Sequence, residues 1–122
     1  MYPRLFACTA FLALAVGMGV PTSAENPDHV RQVRETRQCE GCDLRDADLQ
    51  ALQVELGNLR DADFRGAKLY KSNFRGADLT GAMFAEADLT GADLRGSKGA
   101  NLTGAVTDER TKCPNGAAGP CN

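Results

Sequence analysis

Apolar residues recur at every fifth position through the middle of the chain. From Leu44 to Leu94, eleven consecutive fifth positions hold Leu, Val or Phe, and the residue two places before each is mostly small. A helix repeats every 3.6 residues and a strand alternates every two, so neither has this period. A turn must therefore reset the alternation once per unit, and Gly recurs two residues after many of the centres, where a turn would fall. The pattern predicts an array of short extended segments and corners, with two residues of every five pointing inward.

The units Ala62-Asp63-Phe64, Ala77-Asp78-Leu79 and Ala87-Asp88-Leu89 resemble the A(D/N)LxX signature of the pentapeptide repeat family. The resemblance covers about residues 42–107. It implies an all-β solenoid, a right-handed quadrilateral β-helix of about three coils in which residues twenty apart stack. Stacking gives four core columns of apolar centres: Leu44/Phe64/Phe84, Leu49/Leu69/Leu89, Val54/Phe74/Leu94 and Leu59/Leu79. We interpret the aromatic residues among them as core and not as a ligand site.

The pattern is disturbed at two places. Leu52 occupies a slot that is otherwise small, and Leu56 falls on an outward corner, so this side is either bulged or covered by the N-terminal helix. We favour the cover. After Leu94 the next centre falls on Gly99, and the signature returns three residues later at Leu102. We interpret residues 96–99 as a loop near which the β-helix ends.

Residues 1–24 have the features of a secretory signal peptide. Arg4 precedes an apolar run of sixteen residues, and Ala24 is a small residue at the expected cleavage position. The run is shorter than the roughly twenty residues that a membrane-spanning helix needs, so we expect a protein that is not membrane-spanning. Cleavage leaves 98 residues, enough for one small domain.

Residues 25–41 are predicted to form a short capping helix followed by a two-cysteine motif. Asn26, Pro27 and Asp28 match the order of a helix start, with a capping side chain, a proline and an acid. The segment from Cys39 to Leu44 resembles the CxxCDL motif that opens the repeat in small secreted bacterial members of the family. Such members usually carry a Leu pair in the preceding helix, whereas this chain has Val33 and Arg34.

Composition limits the function. Removal of the leader takes away Arg4 and no acid, so 13 basic and 16 acidic residues remain, a formal charge of −3. This balance opposes nucleic-acid binding, which needs a basic face. With no Trp and two Tyr, an aromatic platform for sugars is not expected. Residues 108–122 form an irregular C-terminal tail that is short of apolar residues.

Four cysteines, Cys39, Cys42, Cys113 and Cys121, remain after the leader, and an even number in an exported protein favours disulfides. Three pairings are open. The array is on the order of 13 Å long at about 4.8 Å per turn. This exceeds the separation of roughly 4.4 to 6.8 Å between α-carbons that a disulfide tolerates, which favours two local pairs. A tail that folds back would allow the other pairings.

Few residues point to chemistry at the surface. His29 is the only histidine and is interpreted as an exposed helix residue, not as a base or ligand. Stacking places Arg45 beside Arg65 and Arg75 beside Arg95, next to bands of acids that can pair with them crosswise. These arginines are the candidate surface for an anionic partner such as a polysaccharide or lipid headgroup. No catalytic set, metal site or cofactor is expected.

The sequence therefore predicts a non-enzymatic exported protein, a structural or protein-interaction module of the cell envelope with an unknown protein partner. The location is the periplasm, or the thylakoid lumen in a cyanobacterium, and a homodimer is an open alternative. Two other functions compete. One is a nucleic-acid mimic like the gyrase-protecting family members, which the leader and mild charge oppose. The other is a thiol-disulfide redox protein acting through Cys39 and Cys42.

Overall fold

The structure, a computed structural model, describes residues 26–121, and the predicted signal peptide lies outside these residues. One helix, α1 (Pro27–Thr36), is present in this part of the chain. The side chain of Asn26 accepts hydrogen bonds from the backbone N–H groups of Asp28 and His29, at 3.0 and 3.3 Å. Arg37 ends the helix in a left-handed conformation. No helix within residues 26–121 is long and apolar enough to cross a bilayer.

From Gln38 to Lys112 the chain is a solenoid-like β-helix made of single parallel pairs instead of long strands. Successive pairs join residues twenty apart up to Lys98, so each turn contains four five-residue units. The pairs are Gln38–Asn58, Asp43–Asp63, Asp48–Lys68, Gln53–Asn73, Asn58–Asp78, Asp63–Met83, Lys68–Asp88, Asn73–Asp93 and Asp78–Lys98. We number the faces by their apolar centres: face 1 is centred on Leu44, Phe64 and Phe84, face 2 on Leu49, Leu69 and Leu89, face 3 on Val54, Phe74 and Leu94, and face 4 on Leu59 and Leu79.

The unit from Ala62 to Gly66 shows how five residues close a corner. Four of its N–H groups donate to backbone carbonyls: Ala62 to Leu59, Asp63 to Cys42, Phe64 to Met83 and Gly66 to Ala85, at 2.8 to 3.2 Å. The fifth, from Arg65, donates to the carboxylate of Asp63 at 3.1 Å. The second residue after the centre turns the corner with a positive φ of 71°. This fifth N–H has no carbonyl partner in the ladder, and the side chain of Asp or Asn before the centre accepts it. Asp or Asn therefore recurs at that position.

The eleven apolar centres fill the interior of the β-helix. None of them is more than 1% exposed. The rings of Phe64 and Phe84 stack with centroids 4.9 Å apart and planes 7° apart. Phe74 meets both rings edge-on. The interior is therefore a packed core.

The first turn differs from the sequence-based interpretation at Leu56. Leu56 is 76% exposed, so the prediction that α1 covers this side is wrong. No bulge is present either, because Gln53 pairs with Asn73 in the regular register and Leu52 is buried above the small Ser72. The end of α1 lies over Gly57 instead. The N–H of Asn58 donates to the Arg37 carbonyl at 3.1 Å, and a side chain at Gly57 would meet the same oxygen.

The prediction that the β-helix ends near residues 96–99 is also wrong. Parallel pairing continues as Met83–Asn101, Asp88–Val106 and Asp93–Lys112. The ladder thus reaches Lys112, beyond the predicted boundary at 107. The offset falls from 20 residues to 18 between Lys98 and Asn101, and the motif at Leu102 arrives two residues early in the ladder. Gly99 permits this short side, because its φ is 68° and a Cβ there would lie 2.7 Å from the Cα of Thr80.

Candidate functional site

Helix α1 contributes side chains to the exposed ladder edge of the first turn. The Nδ1 atom of His29 accepts the N–H of Asp43 at 2.9 Å. Arg34 donates to the Asp48 carbonyl at 3.0 Å, and Gln32 donates to the Gln38 carbonyl at 2.8 Å. His29 is half-buried, and the prediction that it is simply an exposed helix residue is wrong. Its partner is a backbone group, which gives no signal in the sequence.

The predicted arginine columns lie next to carboxylates, mostly within the same unit. Arg45 bonds Asp43 at 2.9 Å, Arg65 bonds Asp63 at 2.7 Å, and Arg95 bonds Asp93 at 2.7 Å. Pairing across turns is longer, at 3.9 Å for Arg45 with Asp63 and for Arg75 with Glu55. Crosswise pairs, which the stacking allowed, are therefore present but longer than the pairs within a unit. The same Asp that accepts the arginine N–H also holds its guanidinium, so local pairing comes first.

Arg45 and Arg65 are brought together in a shallow depression of about 250 Å³, which Asp46, Gly66 and Glu86 complete. Hydrogen bonds from Arg45 and Arg65 hold the pKa values of Asp43 and Asp63 below the ordinary value of a carboxyl. These acids remain ionised at neutral pH and neutralise the two guanidinium groups. The depression therefore offers little net positive charge to an anionic ligand.

The stability of the fold is expected to decrease below about pH 4. Hydrogen bonds from Arg65 and Arg95 lower the pKa values of Asp63 and Asp93 in the folded chain. Such carboxyls stabilise the fold above their unfolded pKa of about 3.9. This contribution is lost as the pH falls through the lower, folded value. Thermal unfolding followed by circular dichroism between about pH 7 and about pH 2 measures the loss.

The matched variant is the double substitution Asp63→Asn and Asp93→Asn. Asn accepts the same backbone N–H, as Asn58 does from Arg60 at 3.2 Å, but it does not titrate. The variant is expected to fold and to lose less stability in acid than the parent. An unchanged acid loss would contradict the role of these two ion pairs.

The four cysteines form two local disulfides in the structure. Cys39 bonds Cys42 with a Cα separation of 5.3 Å, and Cys113 bonds Cys121 with a separation of 5.6 Å. Cys39 is 0% exposed and Cys42 is 3% exposed. Thiol-disulfide exchange needs access of a thiolate to a sulfur atom, which this burial opposes. Within residues 26–121, no three His, Cys, Asp or Glu side chains are grouped as a metal site.

The C-terminal end of the β-helix holds the larger concave feature. The segment from Cys113 to Cys121 turns back, with Cys113 N–H bonded to the Ala117 carbonyl and Gly119 N–H bonded to the Thr111 carbonyl, both at 2.8 Å. Between this segment and the last unit of face 1 lies a cleft of about 490 Å³. Its lining is Ala100, Leu102, Cys113, Pro114, Asn115, Ala117, Ala118, Pro120 and Cys121.

This cleft was not predicted from the sequence. Its signal was a group of small apolar residues, Ala117 and Ala118, between two prolines inside an otherwise polar tail. The local disulfide and the retained ladder pair at Lys112 place that group against Leu102. Both features depend on the register after Gly99, which the sequence analysis placed incorrectly.

Comparison with known proteins gives a family match over the repeats. Residues 58–96 match the model for pentapeptide repeats in eight copies. The chain is similar to a solved pentapeptide repeat protein of the Arabidopsis thaliana thylakoid lumen, with 34% identity and a TM-score of 0.55. That similarity covers 72% of this chain and 61% of the other, so the chain spans about three fifths of its length. No curated protein matches.

A second solved structure with similarity is HetL, a pentapeptide repeat protein involved in heterocyst differentiation regulation, from the cyanobacterium Nostoc sp. strain PCC 7120. It has 28% identity and a TM-score of 0.49, over 71% of this chain and 46% of that one. The family match and the Arabidopsis neighbour together support the pentapeptide repeat family for this chain, a family whose members form right-handed quadrilateral β-helices.

Proposed function

We propose that the chain is an exported, non-enzymatic pentapeptide repeat protein that acts as a structural or protein-interaction module in the cell envelope. The observation that carries the proposal is the filled interior: each apolar centre from Leu44 to Leu94 is buried against its stacked neighbours. The ion pairs on the faces occupy most of the arginines that a charged ligand would need. The rigid outer surface and the two ends then remain for partners.

In this proposal the β-helix has about three coils, and α1 is its N-terminal cap. The unpaired backbone groups of an open ladder edge can bind strands of other chains, and proteins commonly cover such an edge with a helix or loop. The bonds from His29, Arg34 and Gln32 to the first turn support such a role. Burial of Val33 supports it further, because this is the fully buried side chain of α1.

The proposed location is the periplasm, or the thylakoid lumen if the chain is cyanobacterial. The signal-peptide features of residues 1–24 support export, and the Arabidopsis neighbour is a thylakoid-lumen protein. Two disulfides fit an oxidising compartment. The partner is proposed to be a protein.

One experiment tests both the export of the protein and the class of protein that it binds. The full chain with a C-terminal tag is expressed in a Gram-negative bacterium, and the envelope fraction is crosslinked and captured through the tag. We expect a periplasmic product that begins at Glu25 and crosslinks to envelope proteins. A cytoplasmic product that retains residues 1–24, or capture of gyrase, would overturn the proposal and favour the nucleic-acid mimic. The control replaces Ala24 with a bulky residue, which should block cleavage.

The thiol-disulfide alternative has a separate test. Titration of the folded protein with a thiol reagent and a mild reductant should show an inert pair at Cys39 and Cys42, because both are buried. Rapid reduction to a thiolate at neutral pH would support the redox function instead.

A further inference from the structure

The last unit of face 1 has ladder groups without a partner among residues 26–121. In the first turn, the N–H groups of Leu44 and Asp46 donate to the next turn at 2.9 and 3.0 Å, and the Cys42 carbonyl accepts from it at 2.9 Å. The equivalent groups in the last unit are the N–H of Leu102, the N–H of Gly104 and the carbonyl of Ala100. None of these three is bonded to a described residue. The unit thus presents the donors and the acceptor that an added parallel strand needs.

Faces 2 and 3 of the last turn are closed by the tail. Cys113 and Thr111 on face 3 are bonded to the returning segment through Ala117 and Gly119, at 2.8 Å. Thr107, after the face 2 pair at Val106, accepts the Cys121 N–H at 2.9 Å. The returning segment stops beside face 1 and leaves its last unit as the floor of the cleft.

The cleft has apolar side chains at its floor and at one side, where inward side chains of another turn would lie. Leu102 is 7% exposed at its floor. Ala117, Ala118 and the Cys113–Cys121 disulfide line its side. A ladder edge without a partner among residues 26–121 and a cleft with apolar side chains at its floor therefore lie side by side. Strand addition uses this arrangement for affinity and specificity.

The chain itself shows which segment fits such a unit. Residues 82–86 lie on residues 62–66 through three bonds: Phe64 N–H to Met83 carbonyl, Gly66 N–H to Ala85 carbonyl and Met83 N–H to Ala62 carbonyl, at 2.8, 3.0 and 3.0 Å. The small Ala82 and the large Phe84 both point inward and are buried. An occupant of the last unit thus needs a small residue, an outward residue and a large apolar residue in sequence.

We propose that the last unit of face 1, residues 100–104, binds an extended segment of a partner protein as an added parallel strand. Its small and large apolar side chains occupy the cleft, and its backbone pairs with Ala100, Leu102 and Gly104. This inference rests on the proposed interaction role and names the surface and the chemistry of the partner. A second copy does not offer such a strand from its first turn, because α1 is bonded to the ladder edge there through His29 and Arg34.

The test uses the oxidised, folded protein labelled with ¹⁵N and a peptide that copies residues 90–97, Thr-Gly-Ala-Asp-Leu-Arg-Gly-Ser. Titration is expected to shift the amide signals of Leu102 and Gly104 saturably and to slow their hydrogen exchange. A control peptide with Pro in place of the Asp lacks the N–H that would donate to Ala100. Its binding is expected to be roughly tenfold weaker.

Matched protein variants locate the site. Ala117→Asp places a carboxylate in the cleft and keeps the backbone carbonyl that bonds Cys113, so peptide binding should fall at least about tenfold. Ala51→Asp, at an exposed left-handed corner of another face, should leave binding unchanged. Amide spectra of both variants that match the spectrum of the parent outside the substituted site show that the variants fold.

Three outcomes would overturn the inference. In the first, the amide signals of Leu102 and Gly104 do not shift at saturating peptide. In the second, the shifts fall on other residues. In the third, both amides are already protected from hydrogen exchange without peptide, in a dimer that sedimentation detects. The last outcome assigns the unit to a second copy. Export and envelope crosslinking are independent of all three, so the proposed function can survive a failure here.

Discussion

Replacing Phe64 with Ala is expected to lower the free energy of unfolding by about 3 to 5 kcal/mol. Phe64 is fully buried, stacks on Phe84 and meets Phe74 edge-on at 5.8 Å. The substitution removes both aromatic contacts of Phe64 and leaves a cavity beside Phe74 and Phe84. Neighbouring turns stabilise each other, so both turns lose packing. Urea unfolding followed by circular dichroism measures the change.

Two matched variants give the comparison. Phe64→Leu keeps most of the side-chain volume, so its loss should be clearly smaller. Leu56→Ala removes an apolar side chain that is 76% exposed, and its effect should stay below about 1 kcal/mol. Equal effects of Phe64→Ala and Leu56→Ala would show that the interior is not packed as described.

Replacing Val33 with Asp should have a comparable effect, about 3 to 5 kcal/mol. Val33 is 0% exposed on the inner side of α1. Its loss removes apolar burial, and a carboxylate at the same place would be buried in the hydrophobic core. We expect α1 to detach, which frees the Asp43 N–H from His29. Urea unfolding gives the energy, and hydrogen exchange at the Asp43 amide reports the detachment.

The control for Val33→Asp is Glu35→Ala, at an exposed position of the same helix. It should change the free energy of unfolding by less than about 0.5 kcal/mol and leave hydrogen exchange at the Asp43 amide unchanged. If Val33→Asp destabilises the protein but leaves the Asp43 amide protected, α1 stays docked and the proposed cap works through other contacts.

The repeat core could be predicted from the sequence because its signal is strictly periodic. Each centre from Leu44 to Leu94 lies five residues from the next, and only an interior column explains an unbroken apolar series of this kind. The start of α1 was equally readable, since Asn26, Pro27 and Asp28 each satisfy a local requirement of a helix N-terminus.

The later register could not be predicted in the same way. After Lys98, the motif at Leu102 is compatible with a delay of three residues or an advance of two, and only the ladder partner decides between them. Asn101 pairs with Met83, so the advance is correct. The choice depends on how closely Gly99 approaches Thr80, which is a tertiary contact.

The roles of His29 and the C-terminal cleft were hidden for a related reason. His29 binds a backbone N–H, and every residue except proline has one, so no sequence pattern marks the partner. The cleft forms where the tail returns to the last turn. Its ladder groups at Leu102 and Gly104, which have no partner among residues 26–121, are also backbone atoms. Sequence patterns report side chains and miss sites made from the main chain.

The ladder offset of 18 to 20 residues has a consequence for biogenesis. Each segment pairs with residues 18 to 20 positions before it, which are synthesised earlier. Assembly of a turn therefore does not need residues nearer the C-terminus. A polypeptide can therefore wind up vectorially, turn by turn, from the amino end as it is synthesised.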